Sequence, residues 1–366
     1  NYRIENILPG GSEDMIDVSG APNKKLRWEK THSVNAGFDF AVLNQAINLS
    51  VDYYYRKGVD LIGTQMLPLE TGFEMLTVNW ASMRNQGVEV ALSTRNVHTK
   101  NFMWTTNFNF AYNNNKVLKE ALREDALEPG REGYPAGALF ALKTAGLDEE
   151  GYPMFQDKDG KAVSAMEFFK LQEWGFGATD LTARERRELY TYVGTADCPY
   201  TGGFNNTFTY KAFELGVNFS FDFGGKVRSQ PTYSIVDFDK GRNTNRDILN
   251  RWTPENTETI FPVLLSQNER LDEYMWYSNQ NEIYRNLDIW IRDLNYVRLQ
   301  NIRLGYTLPT NFSRTLGMTS ATVAIEGRNL LVFGSSYKNY LDPETMSNAY
   351  ATPAPKSVTL SLNLIF

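Results

Sequence analysis

Strict alternation of apolar and polar residues is the feature that most constrains how this chain can fold. It is clearest at the C-terminus, where apolar residues occupy positions 358, 360, 362, 364 and 366 and polar residues occupy 357, 359, 361 and 363. Successive side chains of a β-strand point to opposite faces, so this repeat of two indicates a strand with one apolar face. No stretch reaches the roughly 18 apolar residues that a transmembrane helix needs. The sequence therefore predicts an all-β protein that ends in a strand.

Eight further segments share this alternation. They are centred on 34–40, 47–55, 88–92, 102–112, 208–210, 213–223, 302–308 and 321–325. A soluble β-sandwich also alternates and is the alternative interpretation. Two observations favour a transmembrane antiparallel β-barrel instead. Several apolar faces approach the roughly 9–11 residues of a tilted membrane strand, and aromatic residues such as Tyr53, Trp104 and Tyr210 gather at strand ends, as in interfacial girdles.

The connections between these segments alternate in length. Short ones are predicted near 41–46, 95–101, 211–213 and 309–319, and long ones near 59–83, 117–199, 225–289 and 333–355. Outer-membrane barrels have short periplasmic turns and long extracellular loops. With a periplasmic C-terminus, every short turn falls on the periplasmic side. Residues 1–30 are then expected to be an extracellular loop tail, and residues 31–366 the barrel part.

The predicted number of strands is odd. Bacterial single-chain barrels use an even number, because their first and last strands pair antiparallel. An open edge in lipid would leave unpaired backbone groups, each of which costs several kcal/mol. The nine predicted strands are therefore not expected to close alone, and further strands are expected before residue 1.

Short stretches distributed from about residue 26 to the end form a recognisable series. They are Leu26–Thr31, Asn35–Phe40, Leu49–Tyr54, Asn85–Glu89, Gly137–Phe140, Ala145–Asp148, Gly202–Lys211, Asn250–Asn256, Val297–Pro309 and Gly327–Leu330. In this order they resemble the C-terminal half of SusC/RagA-type TonB-dependent outer-membrane transporters of Bacteroidetes.

The resemblance implies a barrel of 22 strands, of which this chain would supply about the last nine. It also implies an N-terminal plug and a TonB box that lie outside this chain. A SusD-like surface lipoprotein is expected to close over the barrel as a lid, in a possible dimer of barrel–lid pairs. The expected cargo is an oligosaccharide or an oligopeptide, and the TonB complex would supply the energy through the plug.

Features of catalysis are absent from the sequence. It has no G-x-S-x-G elbow, H-E-x-x-H helix, phosphate loop or C-x-x-C pair, and its histidines are only His32 and His98. Cys198 is the single cysteine. Residues 157–160 slightly resemble a calcium loop but are better read as an Asp-Gly turn. The net charge of −6 argues against nucleic acid as a partner. We therefore predict no enzyme activity, no metal and no cofactor.

Aromatic residues in the long loops are the candidates for substrate binding. Sugar rings stack on Trp and Tyr, and their hydroxyls need polar neighbours. The residues selected on this ground are Trp174, Tyr274, Trp276, Tyr277 and Asn279, followed by Gln280. The alternative is that these side chains pack the loops against each other or against a partner.

A charged helix is predicted from Thr179 to Tyr190, with Thr179 or Asp180 as its N-cap. Its arginines are candidates for docking the lipoprotein lid, and they are Arg184, Arg186 and Arg187. The alternative is a solvated helix without a partner.

Three functions are compatible with these features. The first is energised import together with a SusD-like lipoprotein. The second is passive diffusion through a porin, and the third is adhesion by a surface barrel through which nothing passes. Stimulation of transport by the TonB complex separates the first from the other two.

Overall fold

The computed structural model describes residues 3–6, 14–17, 21–67, 69–73, 75–122, 124–231, 233–236, 246–265, 270–279, 283–315, 317–334, 342–346, 348 and 351–366. The strands in chain order are β1 Arg3–Asn6, β2 Asp14–Asp17, β3 Lys30–Val42, β4 Ile47–Met66, β5 Met75–His98, β6 Phe102–Lys119, β7 Ala138–Leu142, β8 Thr144–Leu147, β9 Pro153–Gln156, β10 Ala162–Val163, β11 Tyr190–Thr195, β12 Tyr200–Tyr210, β13 Phe213–Arg228, β14 Ile291–Thr307, β15 Ser320–Phe333 and β16 Ser357–Ile365.

The helices are short. They are α1 Ala165–Phe168, α2 Ala183–Glu188, α3 Leu271–Asn279 and α4 Thr310–Thr315, with 3-10 turns at Leu69–Thr71, Arg246–Asn250, Tyr284–Asn286 and Asp288–Trp290. Among the described residues, no helix is long and apolar enough to cross a membrane.

One antiparallel sheet of nine strands dominates the described part of the chain. Its strand order is β3-β4-β5-β6-β12-β13-β14-β15-β16, so consecutive members are neighbours throughout. This confirms the nine strands predicted from the alternation. Within the described ranges, β3 and β16 are the two edges of the sheet and do not pair with each other.

The register aligns the apolar positions of all these strands on one face. One row across the sheet consists of Phe40, Leu49, Leu92, Phe108, Phe204, Phe219, Leu299 and Leu331. The neighbouring row consists of Ala41, Asn48, Ser93, Asn107, Asn205, Asn218, Asn301 and Arg328. It lies one residue away on each strand except β14 and β15, where a register shift makes the offset two and three residues. A sheet with one apolar and one polar face is what a barrel between lipid and an aqueous lumen requires.

The connection predicted over 59–83 is much shorter in the structure. The strands β4 and β5 continue to Met66 and Met75, and the remaining connection is 67–74. Asn79 holds this extension, because its amide donates to the carbonyl oxygens of Arg27 (2.8 Å) and Asp60 (2.6 Å). The prediction failed because a register shift between Gly58 and Leu61 interrupts the alternation.

The other long connections match their predicted places and run over 120–199, 229–290 and 334–356. Within residues 1–30, the described part contains β1 and β2, which pair antiparallel, and residues 21–30, of which Lys30 begins β3. The charged helix is also shorter than predicted. It is α2, and its N-cap is Thr182, whose side chain and that of Glu185 form a capping box.

The described residues of 120–199 and 229–290 pack together into a unit that we call the cap. Two small sheets, β8–β10 and β7 with β11, and the helices α1 to α3 belong to it. Its core joins the two connections, since Phe169 from the first packs its ring 4.9 Å from that of Trp276 in the second. Arg228, at the end of β13, donates to the carbonyl oxygens of Phe140 and Arg285, and so ties both connections to the sheet.

Candidate substrate and partner surfaces

Helix α3 turns two of the predicted substrate-binding rings into the cap core. Trp276 is 2% exposed and Tyr277 3%, and both belong to the buried apolar cluster. This is the packing role that the sequence left open as the alternative. Burial raises the pKa of the Tyr277 hydroxyl well above its ordinary value. Neither ring can stack on a substrate in this arrangement.

The other residues of that group have different positions. Tyr274 is partly buried and packs against the same core. Asn279 ends α3, but its side chain lies outside the described residues, as does all of Gln280. Trp174 is the one fully presented ring of the group, with 73% of its surface exposed.

Trp174 lies at the tip of a turn that also exposes Phe176. Both residues adopt left-handed backbone conformations, with φ of 57° and 51°. Bulky residues rarely adopt this region, which costs about 1–3 kcal/mol for each. The Asp272 carboxylate compensates by accepting the backbone N–H groups of Trp174 (2.8 Å) and Phe176 (2.9 Å). The turn is therefore held by α3 in a conformation that points two large rings outward.

Gly177 shows why this turn needs a glycine. Its φ is +81°, and a Cβ at this position would lie 2.6 Å from the backbone nitrogen of Trp276. Such contact does not occur between real atoms, so only glycine lets the turn lie against α3. The sequence analysis selected Trp174 but missed Phe176 and Asp272. The two aromatic residues that flank Gly175 were the signal available in the sequence.

The three predicted docking arginines have separate roles in the structure. Arg187 is engaged within the cap and donates to the carbonyl oxygens of Glu124 (2.8 Å) and Ala126 (2.6 Å). Arg186 lies over the ring of Trp276 at 5.3 Å, and burial lowers the pKa of its guanidinium. Arg184 is largely exposed and pairs with Glu188 of its own helix at 3.4 Å. Of these three arginines, Arg184 is the one whose side chain remains accessible to a partner.

A cluster of charged side chains lies in the cap beside α3. The Arg270 guanidinium pairs with Asp148 and Glu150, both at 2.8 Å, and with Glu273 at 3.6 Å. It also lies 3.9 Å from the ring centre of Tyr152. Burial is the main cause that raises the pKa of Glu273, and the neighbouring Asp148 and Glu150 act in the same direction. This network joins the first connection to the second.

The polar face of the sheet forms a hollow of about 680 Å³. Its lining combines small and polar residues, among them Asp39, Ser50 and Asn109, with residues of the apolar row such as Phe108 and Phe204. The amide of Asn218 donates to that of Asn301 across two strands at 2.9 Å. The amide and hydroxyl groups of this lining can form hydrogen bonds with a polar solute or with a second polar protein surface.

No family model matches the chain. Among curated proteins, TonB-dependent receptor P3 of Formosa agariphila is 27% identical over 94% of this chain and 35% of its own length. TonB-dependent receptor SusC of Bacteroides thetaiotaomicron is 26% identical over 93% of this chain and 32% of its own length. The chain thus spans about a third of the length of the curated relatives it matches.

A solved structure described as the RagAB peptide transporter has a TM-score of 0.77 and 23% identity, and the match covers all of this chain and 38% of that one. The fold therefore defines part of a transmembrane β-barrel of the outer membrane. More particularly, it resembles part of the barrel of TonB-dependent transporters. The resemblance to SusC-type TonB-dependent receptors, first seen in short motifs, is confirmed over nearly the whole chain.

Proposed function

We propose that this chain is the C-terminal part of an energised outer-membrane importer of the SusC type. The observation that carries the proposal is the sheet register, which lines one face with amides and hydroxyls and the other with apolar side chains across neighbouring strands. A wall of this kind separates lipid from a polar path. The similarity to TonB-dependent receptors supports coupling to the TonB complex through a part of the protein beyond this chain.

The cargo of this importer is an oligosaccharide or an oligopeptide. The RagAB structure is described as a peptide transporter, which supports the second class. The chemistry of the polar face is compatible with both, because amides bond equally well to sugar hydroxyls and to peptide groups.

Uptake in cells tests this function. Cells that express the whole protein receive either a tryptic digest of casein or a ladder of malto-oligosaccharides, with and without a functional TonB complex. Uptake of one probe that disappears without TonB supports the importer. Uptake that continues without TonB would favour a passive porin, and uptake of neither probe would favour an adhesin.

The orientation proposed here has the cap outside the cell and the C-terminus in the periplasm. It follows the rule that long connections are extracellular and short turns periplasmic. A cysteine at Trp174 should react with a membrane-impermeant maleimide on whole cells, whereas a cysteine at Lys100, in the short turn after β5, should not. The reverse labelling pattern would invert the orientation.

The partner proposed for the cap is a SusD-like lipoprotein that acts as a lid. The exposed rings of Trp174 and Phe176 and the exposed Arg184 are its proposed contacts, since Trp and Arg dominate the energetics of protein interfaces. Replacing both rings by alanine should abolish co-purification of the lipoprotein. Trp28 is 91% exposed but precedes β3, outside the cap, so Trp28→Ala is the matched control and should leave co-purification unchanged. Equal loss in both variants would refute this surface.

A further inference from the structure

A buried ion pair fastens a distant segment to the sheet. Arg298 of β14 is 2% exposed, and its Nε donates to Glu344 Oε1 at 2.9 Å while its Nη2 pairs with Asp342. Next to it, the Tyr296 hydroxyl donates to Asp222 (2.5 Å) and lies 3.2 Å from Glu344 Oε1. One guanidinium thus holds two carboxylates that lie more than forty positions further along the chain.

The position of Arg298 shows on which face of the sheet this happens. Its strand neighbours Val297 and Leu299 pair with Phe221 and Phe219 in the apolar rows, whereas Arg298 pairs with Ser220. Because side chains alternate along a strand, Arg298 points to the polar face. The segment 342–346 that it binds therefore lies against the inner, polar face of the sheet.

The segment itself is packed rather than loosely attached. The Asp342 carboxylate also accepts the backbone N–H groups of Glu344 (3.0 Å) and Ala354 (3.3 Å). Pro343 is buried, and Met346 is almost completely covered. The side chain of Glu344 stays 44% exposed, so its carboxylate is accessible beside the buried Arg298–Asp342 ion pair.

Charge balance explains why the segment 342–346 depends on Arg298 for its attachment to the sheet. Burying a charge is tolerated only when partners compensate it, and removal of one partner leaves the others uncompensated. Without the guanidinium, Asp342, Glu344 and the nearby Asp222 would repel each other on the sheet. Such repulsion favours release of the segment from the wall.

We propose that residues 342–346 form a fixed constriction on the inner wall of the import path, fastened by Arg298, and that Glu344 gives this constriction an acidic surface. The proposal rests on the import function proposed above, because a constriction selects cargo only if cargo passes it. It adds the residues that set the width and charge of the path.

Accessibility of Met346 tests the fastening. In the whole protein in its outer membrane, with Cys198 replaced by serine, a cysteine at Met346 should react slowly with a small impermeant maleimide. Adding Arg298→Gln should accelerate labelling by about tenfold or more, because reactivity of a covered site follows its local opening. Heat-modifiable migration of the barrel on gels confirms that this variant assembles.

The matched control is Arg303→Gln. Arg303 lies on the same strand and the same polar face, and it pairs with Glu214 at 2.9 Å at an exposed position. Its replacement should leave labelling at position 346 unchanged. Fast labelling with Arg298 intact would show that the segment is not held on the wall. Equal labelling of the Arg298→Gln and Arg303→Gln variants would show that Arg298 does not hold it.

A bulky adduct tests the place of the segment in the path. A cysteine at Thr345, which is partly exposed, is modified with a polyethylene-glycol maleimide, and uptake of the casein digest or malto-oligosaccharide ladder is compared before and after modification. Uptake should fall about tenfold, because the width of a path limits what passes. The same adduct at the exposed Glu70, between β4 and β5, should have little effect.

The outcomes separate this inference from the proposed function. If the unmodified protein takes up neither probe, the import function fails. The labelling at position 346 still shows whether Arg298 holds residues 342–346 against the sheet. If the unmodified protein takes up a probe and the adduct at Thr345 leaves that uptake intact, the constriction is refuted and the import function stands.

Discussion

The nine-stranded sheet and the cap place their large apolar side chains in opposite positions. In the sheet, large apolar residues are on the outside, and Leu360 is 76% exposed. In the cap, they are inside, and Trp290 is 0% exposed. The two regions are made by one chain for two surroundings, since lipid accepts apolar side chains that water drives into a core. Exposure of apolar residues in such a protein therefore has a different meaning on each side of the membrane boundary.

The largest expected effect comes from emptying the cap core. Trp290→Ala should destabilise the cap by about 3–5 kcal/mol, because a large buried ring leaves a cavity. Limited proteolysis should then cut within 120–199 and 229–290, while the barrel keeps its heat-modifiable migration. The exposed Trp174→Ala variant should resist the protease like the native protein. Loss of barrel assembly in Trp290→Ala would mean that the two regions are not separately stabilised.

A charge on the lipid face should have the next largest effect. Leu360→Arg should destabilise the barrel by about 2–4 kcal/mol near the middle of the bilayer. The neighbouring Thr359→Arg places the same charge on the polar face opposite Glu326, and its effect should be small. Urea unfolding of the two variants in lipid vesicles measures the difference. Equal destabilisation would contradict the assignment of the two faces.

Removing the support of the exposed turn should act more locally. Asp272→Ala leaves the N–H groups of Trp174 and Phe176 without their carboxylate and should cost about 1–3 kcal/mol. Hydrogen exchange at these two amides should accelerate, while exchange in the core around Phe155 stays slow. Asp272→Asn keeps one acceptor oxygen and should show a smaller acceleration. Unchanged exchange in both variants would assign the turn conformation to another cause.

The smallest expected effect concerns pH. Burial, together with Asp148 and Glu150, raises the pKa of Glu273 above its ordinary 4.5, although Arg270 acts against this. The folded cap then binds this proton more tightly than the unfolded chain, so its stability declines as the pH rises from 4.5 through the raised value. Exchange protection of α3, corrected for intrinsic rates, should follow this decline, and Glu273→Gln should flatten it. The exposed Glu167→Gln should keep the native slope.

The sheet was predictable from sequence, whereas the cap was largely not. The alternation of apolar and polar residues is visible along each strand, and the row through Phe108 and Phe204 follows once neighbouring strands are paired. Trp276 could be recognised as aromatic but not as buried, because the Phe169 ring that covers it comes from a different connection. Packing between distant segments leaves no periodic signal in either one.

The same limit applies to the two side chains that matter most for the proposals. Arg298 follows the alternation of β14 like any polar residue, and nothing in the sequence links it to Asp342. Asp272 lies within the predicted long connection 225–289, and nothing in the sequence shows that it fixes the backbone at Trp174. Motifs and spacing therefore revealed the family resemblance and the strands, but the residues that hold distant segments required coordinates.

The shared core of the cap has a consequence for the order of folding. One half of this core precedes β12 in the chain and the other half follows β13, so the β12–β13 hairpin lies between them. Contacts between distant segments form late, because the entropy of closing the intervening chain is lost before they form. Once the hairpin has paired, it brings both halves together and shortens that search. Assembly of the barrel wall is thus the step that templates the cap, and a chain stalled before insertion exposes the aromatic residues of an unfinished core to aggregation.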